Sequence, residues 1–433
     1  MKKLIQLLAV LSLMACKGSG LDQVFKPSSP YETYLRHLTN GPLEKAAFVR
    51  DWKLAGDNAL KDSTLVSLPY QELGYLDPAK PNAFMLRFPV EEGQELQISF
   101  TPISEPDAQV FLDLFELQSN GDLKRQSSAE ESLQIVHRVR RSGKFALRVQ
   151  PEVLRGGVFQ LDINFAPTLA FPLPEKSSAN IASFYGAPRD GGGRQHEGVD
   201  IFAPRGTPAL AVGSGRISRV GNNRLGGKTV SLSSEGYSFY YAHLDSQLVS
   251  FGQEVKLGDT LGWVGNTGNA ITTAPHLHFG IYIRGRGSLD PLPFLKSAPA
   301  LSTVNVSDST DLGEWTRIVG NLVNFRQSPS TSSPVIGQLK KNTALLVEGK
   351  AGDWYRVRLP NQKLGFVSST LLESADGPLN EFSLGLEDNL KSTWSGPVYQ
   401  SEFETGKATI HGEYADFHLV RTIGGRMIWR QVI

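Results

Sequence analysis

The chain has 433 residues, a length that predicts roughly two to four domains. Lysine and arginine total 44 against 43 aspartates and glutamates, a formal charge of +1 that excludes both a basic nucleic-acid binder and an acidic solvating tail. With 43 glycines, 25 prolines and one cysteine, the composition favours short strands and tight turns and excludes a disulfide scaffold.

The first 16 residues read MKKLIQLLAVLSLMAC. Lys2 and Lys3 precede an apolar stretch, Leu4 to Met14, that is too short for an ordinary membrane-spanning helix. Leu13-Met14-Ala15-Cys16 resembles the lipobox of bacterial lipoproteins. That resemblance implies a signal peptide over 1–15, cleavage before the cysteine, and a lipid on Cys16 that holds the exported protein to the bacterial envelope. Loss of Lys2 and Lys3 takes the formal charge to −1. Lys17, in place of an acidic residue, favours the outer membrane.

Residues 16–30 form a polar Gly/Ser/Pro tether, and 31–64 show the loose three-to-four spacing of a helical segment (Leu35, Leu38, Leu43, Ala46, Val49). From 65 to 166 apolar and polar residues alternate in runs such as Glu95 to Phe100 and Lys144 to Val149, with turns between them. This predicts a β-sandwich, and the stretch resembles the jelly-roll modules found beside bacterial peptidases. The Pro-rich stretch Pro167 to Glu175 predicts a linker, 167–179, running along a surface. A Gly-rich, strand-rich unit follows over 180–296, then a polar linker over 297–314 and a short-strand module over 315–373. The last small β module, 374–433, echoes it faintly: Gly352-Asp353-Trp354 parallels Ala415-Asp416-Phe417.

Four of the eight histidines, His196, His243, His276 and His278, lie within the central unit, and His37, His137, His411 and His418 are scattered. His196-x-x-x-Asp200 puts an imidazole and a carboxylate on one side of a helix or a strand, with Val199 and Ile201 turned to the core. The run from His276 to Ile283 reads as a strand with His276, His278, Gly280 and Tyr282 on one face and Leu277, Phe279, Ile281 and Ile283 on the other. Paired imidazoles on one face are costly in a plain core and suit a metal, and two histidines and an aspartate with an open position make a catalytic zinc pattern. Although His196-Glu197 begins like His-Glu-x-x-His, the fifth residue is Asp200, and Glu197 points away from the ligand face of an extended segment. His243 and one of the His276/His278 pair are left for acid–base or oxyanion work.

Tyr185 to Gly192, His196-x-x-x-Asp200, Tyr241-Ala242-His243-Leu244 and His276-Leu277-His278-Phe279-Gly280, in this order, closely resemble the lysostaphin/LytM-type zinc metallopeptidases, bacterial endopeptidases that cut peptidoglycan cross-bridges. The resemblance covers roughly 180–290. It implies one Zn²⁺ held by His196, Asp200 and His278, with His243 and His276 as catalytic histidines around a zinc-activated water. Gly252 to Gly262 is similar to barrel-sandwich carrier domains but lacks the hairpin-tip lysine that a carrier modifies.

Val323 to Gly337, Asp353 to Val357 and Leu364 to Val367 resemble bacterial SH3-like domains, which often bind cell wall. Exposed aromatics there would stack on sugar or peptide, whereas a small barrel would take Trp354 or Phe366 into its core; burial is expected for at least one of them. The fold expected is mainly β: a few N-terminal helices, a β-sandwich, a LytM-type β-sheet/barrel-sandwich peptidase core and SH3-like barrels. The function expected is a monomeric zinc endopeptidase whose partners are peptidoglycan stem peptides and, through its lipid, a membrane. Two rivals are a non-catalytic wall-binding or activator protein of the same fold and a peptidase of non-wall proteins.

Overall fold

The computed structural model describes residues 27–105, 107–301, 310–394, 398–400 and 405–432. The expected signal peptide and Cys16 lie outside the described residues. The helical segment is two short helices, α1 (Pro30–Thr39) and α2 (Ala47–Ala59), separated where Gly41-Pro42 interrupts the pattern. Ser29 caps α1: its hydroxyl accepts from Glu32 N–H, and the Glu32 carboxylate accepts from Ser29 N–H. Tyr31 and Trp52 pack with Phe111, and the Trp52 indole donates to the Pro151 carbonyl at 2.7 Å.

Eight strands follow: β1 (Tyr70–Leu76), β2 (Phe84–Val90), β3 (Gln94–Pro102), β4 (Val110–Leu117), β5 (Leu123–Ser128), β6 (Gln134–Arg138), β7 (Gly143–Pro151) and β8 (Gly157–Pro167). The order β1-β8-β3-β6 in one layer and β2-β7-β4-β5 in the other is that of an eight-stranded jelly roll. Alternation fixes which side chains turn inward: Leu86, Phe88, Leu114 and Leu147 from one layer meet Leu96, Leu161 and Ile163 from the other, all buried.

The central unit is built on β9 (Ile181–Ser183), β10 (Val199–Phe202), β11 (Gly215–Asn223), β12 (Gly227–Ser234), β13 (Tyr237–Gln247), β14 (Thr260–Val264) and β15 (His276–Ile283). They belong to an antiparallel sheet whose main path includes β11-β12-β13-β15-β10-β9, with β14 also paired to β13. The Pro-rich stretch before it departs from expectation. It does not run free along a surface: Leu169 and Leu173 are buried in the core of the central unit, and the Pro172 carbonyl accepts from Leu210 N–H at 2.8 Å. Alternate apolar residues among prolines can face inward because prolines have no N–H to leave unpaired. The unit is seated on the jelly roll through Glu92, which takes a two-pronged contact from Arg286 at 2.7 and 3.1 Å and a hydrogen bond from the Tyr237 hydroxyl at 3.1 Å.

The third unit contains β16 (Trp315–Ile318), β17 (Leu322–Arg326), β18 (Val335–Lys340), β19 (Ala344–Ala351), β20 (Trp354–Arg358) and β21 (Leu364–Ser368). Its strands enclose a core of their own that includes Ile318, Val323, Phe325, Val347 and Val357, and its sheet also continues into the jelly roll. β19 pairs with the jelly-roll edge β1, Leu73 opposite Lys350 and Gly74 opposite Gly349, so one sheet runs β18-β17-β21-β20-β19-β1-β8-β3-β6. A side chain at Gly349 would stand 2.5 Å from the Glu72 carboxyl carbon, so the close approach requires glycine. Phe366 is fully buried and Trp354 packs beside it, both against the jelly-roll core rather than in a separate one. Residues 374–433 contribute a six-stranded antiparallel sheet among the described residues. The echo noted in sequence falls on equivalent hairpins, Ala351 opposite Trp354 and Tyr414 opposite Phe417, each with a left-handed first turn residue, Gly352 and Ala415.

A buried ion cluster fastens the joint between β1 and β20. Arg356, with no exposed surface, grips both oxygens of the fully buried Glu72 at 2.9 Å and reaches Glu348 at 2.9 Å. Tyr70 donates to Glu72 at 2.6 Å, Arg358 pairs with Glu348, and the Arg356 guanidinium lies 4.1 Å from the Phe84 ring centroid. Breaking such a cluster from one side strands charge in a dry interior. Arg356→Ala is expected to lower stability by about 3–5 kcal/mol, read as an earlier first transition when the full chain is unfolded in denaturant. A loss under about 1 kcal/mol, the level of an exposed pair, would show that solvent reaches the cluster.

Candidate metal centre

The register of three antiparallel strands brings the central residues together. Asp200 of β10 lies opposite His278 of β15, and His278 lies opposite Ala242 of β13. Val199, Ile201, Leu277, Phe279 and Ile281 turn to the core and are fully buried. The alternate residues Asp200, His276, His278 and Tyr282 line a groove of about 680 Å³. Among the described residues, those lining it run from 182 to 282, so no other unit contributes to its wall.

His196 arrives from the loop before β10. The short hairpin Pro188–Arg189 with Arg194–Gln195 ends one residue earlier, and Gly198 lets the chain pass beside the His278 ring, where a side chain would stand 2.8 Å from Cε1. His196 Nε2, Asp200 Oδ1 and His278 Nδ1 then form a triangle with sides of 3.0, 3.0 and 2.9 Å. Tetrahedral zinc bonds of about 2.0–2.1 Å put donor atoms about 3.3 Å apart, so the triangle has the size for one ion.

The protonation pattern supports the same fit. His196 Nδ1 donates to the Phe184 carbonyl at 3.0 Å, so Nε2 is the nitrogen that faces Asp200 and His278. Burial pulls the His278 imidazole below its ordinary pKa and so favours its neutral form. Burial alone would raise the Asp200 carboxyl, but the facing His196 and His278 hold it well below the usual carboxylate range, so it is ionised.

His243 and His276 stand beside this triangle, with ring centroids 4.9 Å apart and His243 5.9 Å from His278. Each has Nδ1 tied to a backbone carbonyl, His243 to Thr267 at 2.8 Å and His276 to Ala274 at 2.9 Å, which leaves Nε2 as the basic nitrogen. Burial lowers the His243 pKa to about 4, so the ring is neutral at pH 7. Regular alternation would turn His243 to the core side with Tyr241. Instead its φ is +63°, and the pairing of β13 slips on both sides of it, a bulge that re-aims the ring into the groove.

The scattered histidines do not join the groove; His411, for one, is buried against Thr409 and the Ala375 carbonyl. Glu197 departs from expectation. Residues 196–198 lie outside the strands, and its side chain lines the groove, where the carboxylate accepts from the Tyr282 hydroxyl at 3.2 Å. Sequence reading also missed Arg189, which contacts Asp200 at 2.7 Å, and Phe202, whose ring stacks on His276 at 5.0 Å. Phe202 was legible as the residue opposite His276 once the strands were paired, whereas Arg189 carries no local signal because its partner is eleven positions away.

Comparison with known proteins finds relatives of two segments of the chain. The model of peptidase family M23 matches residues 194–291, and that of the bacterial SH3 domain matches 320–373. Lysostaphin of Staphylococcus simulans is 42% identical over 24% of this chain and 22% of its own length. An L-Ala–D-Glu endopeptidase of Bacillus subtilis is 36% identical over 30% of this chain and 43% of its own. This chain thus spans less than half the length of either relative. The solved catalytic domain of lysostaphin is 37% identical, with a TM-score of 0.26, over 28% of this chain and 96% of that one. The chain therefore carries a peptidase family M23 domain and, C-terminal to it, a bacterial SH3 domain.

Proposed function

We propose that the protein is a zinc-dependent endopeptidase that hydrolyses peptide cross-links of peptidoglycan, held to the cell envelope by a lipid on Cys16. The observation that carries this reading is the triangle of donor atoms from His196, Asp200 and His278 in an open groove, with two further histidines of fixed tautomer beside it. Names among the relatives agree with the substrate class: a glycyl-glycine endopeptidase of Staphylococcus capitis and a peptidoglycan DD-endopeptidase of Vibrio cholerae each match part of this chain.

His196, Asp200 and His278 would hold the ion, which when bound would supply Lewis acidity and an acidified water. The groove aligns an extended peptide beside these residues. His243 and His276, each with a free Nε2, divide two tasks: one takes the proton of the attacking water and returns it to the leaving amine, and the other donates to the developing oxyanion. Their Nδ1 contacts keep the rings from turning, so neither has to reorganise during the reaction.

Purified protein is expected to bind one zinc ion and to release muropeptides from purified peptidoglycan, and His278→Ala is expected to abolish both. Turnover by zinc-free His278→Ala protein would contradict the reading; bound zinc with no turnover on any wall preparation would favour the activator rival. His243→Ala and His276→Ala are each expected to retain zinc and to lower kcat by about a hundredfold or more. Loss of zinc in either variant, measured by metal analysis, would make that residue a ligand instead.

A further inference from the structure

The two oxygens of the Asp200 carboxylate face different partners. Oδ1 faces the His196 and His278 nitrogens, each at 3.0 Å, and Oδ2 accepts from Arg189 Nη2 at 2.7 Å. The same Nη2 donates to Ser183 Oγ, also at 2.7 Å. Ser183 lies opposite Asp200 in the sheet, and Arg189 belongs to the hairpin that leads directly into His196. One short hairpin thus delivers both a candidate ligand and the guanidinium that orients another. Asp200 is 13% exposed and Arg189 29%, so the contact is a partly desolvated, charge-assisted hydrogen bond.

Resting on the metal reading above, we propose that Arg189 is a positioning residue for the metal centre. It occupies Asp200 Oδ2, so the carboxylate offers a cation one oxygen and not two. A single oxygen keeps a further position at the ion open to solvent and substrate, as a catalytic site requires. Without Arg189, Oδ2 is free to turn towards the ion and fill that position. Ser183 fixes the donor nitrogen from the other side, so the orientation does not depend on one contact.

The test uses the full chain and reads the metal itself. Arg189→Gln is expected to weaken zinc binding by about 10–100-fold in competition with a chelator, the usual effect of removing a ligand's hydrogen-bond partner. With cobalt(II) in place of zinc, the visible absorption of R189Q is expected to weaken as coordination number rises, and Arg189→Lys is expected to recover part of both signals. Ser183→Ala is expected to shift both readouts the same way by less. Wild-type affinity with an unaltered cobalt spectrum in R189Q overturns the proposal; should R189Q fail to fold, an unchanged S183A overturns it. If wild-type protein itself takes up neither metal, the metal reading fails and this inference with it.

Discussion

Two imidazole nitrogens and one carboxylate oxygen, converging within about 3 Å, are the constraint on which the central unit is organised. A fully buried apolar face lies directly beneath them. Val199, Ile201, Leu277 and Phe279 alternate with the polar residues, so the packing that stabilises the strands also fixes where Asp200 and His278 point. The carbonyls of Phe184, Thr267 and Ala274 each take one ring N–H, setting three tautomers at once. The site is rigid because every histidine so tied has both a backbone partner and a sheet behind it.

The other units are joined to one another more closely than a string of modules would be. The jelly roll and the SH3 domain share a sheet through β1 and β19, a common core that includes Phe366, and the Arg356 cluster. Glu92 couples the jelly roll to the central unit. Phe366 is fully buried in this joint and Trp354 packs against it, partly buried. The groove stays clear of these joints, as its lining from residues 182 to 282 requires.

Much of this was legible in the chain. Strict alternation marked His276 to Ile283 as a strand with two faces, and the jelly-roll strands announced themselves the same way. Four ordered motifs identified the group of histidines. What escaped were features set by distant contacts or by broken periodicity. The left-handed backbone at His243 inverts the face that alternation assigns. Glu197 was placed by assuming an extended segment, whereas residues 196–198 lie outside the strands. Arg189 and Asp200, or Glu72 and Arg356, are paired only after the sheets form. Leu169 and Leu173 were hidden among prolines, whose usual surface habit obscured the inward side chains.

X-ray absorption at the zinc edge of the purified, zinc-loaded protein tests the central claim most directly. The account predicts a first shell of nitrogen and oxygen only, with scattering from two imidazoles and no sulfur. Scattering from three or more imidazoles would show that His243 or His276 ligates the ion and would contradict the assignment.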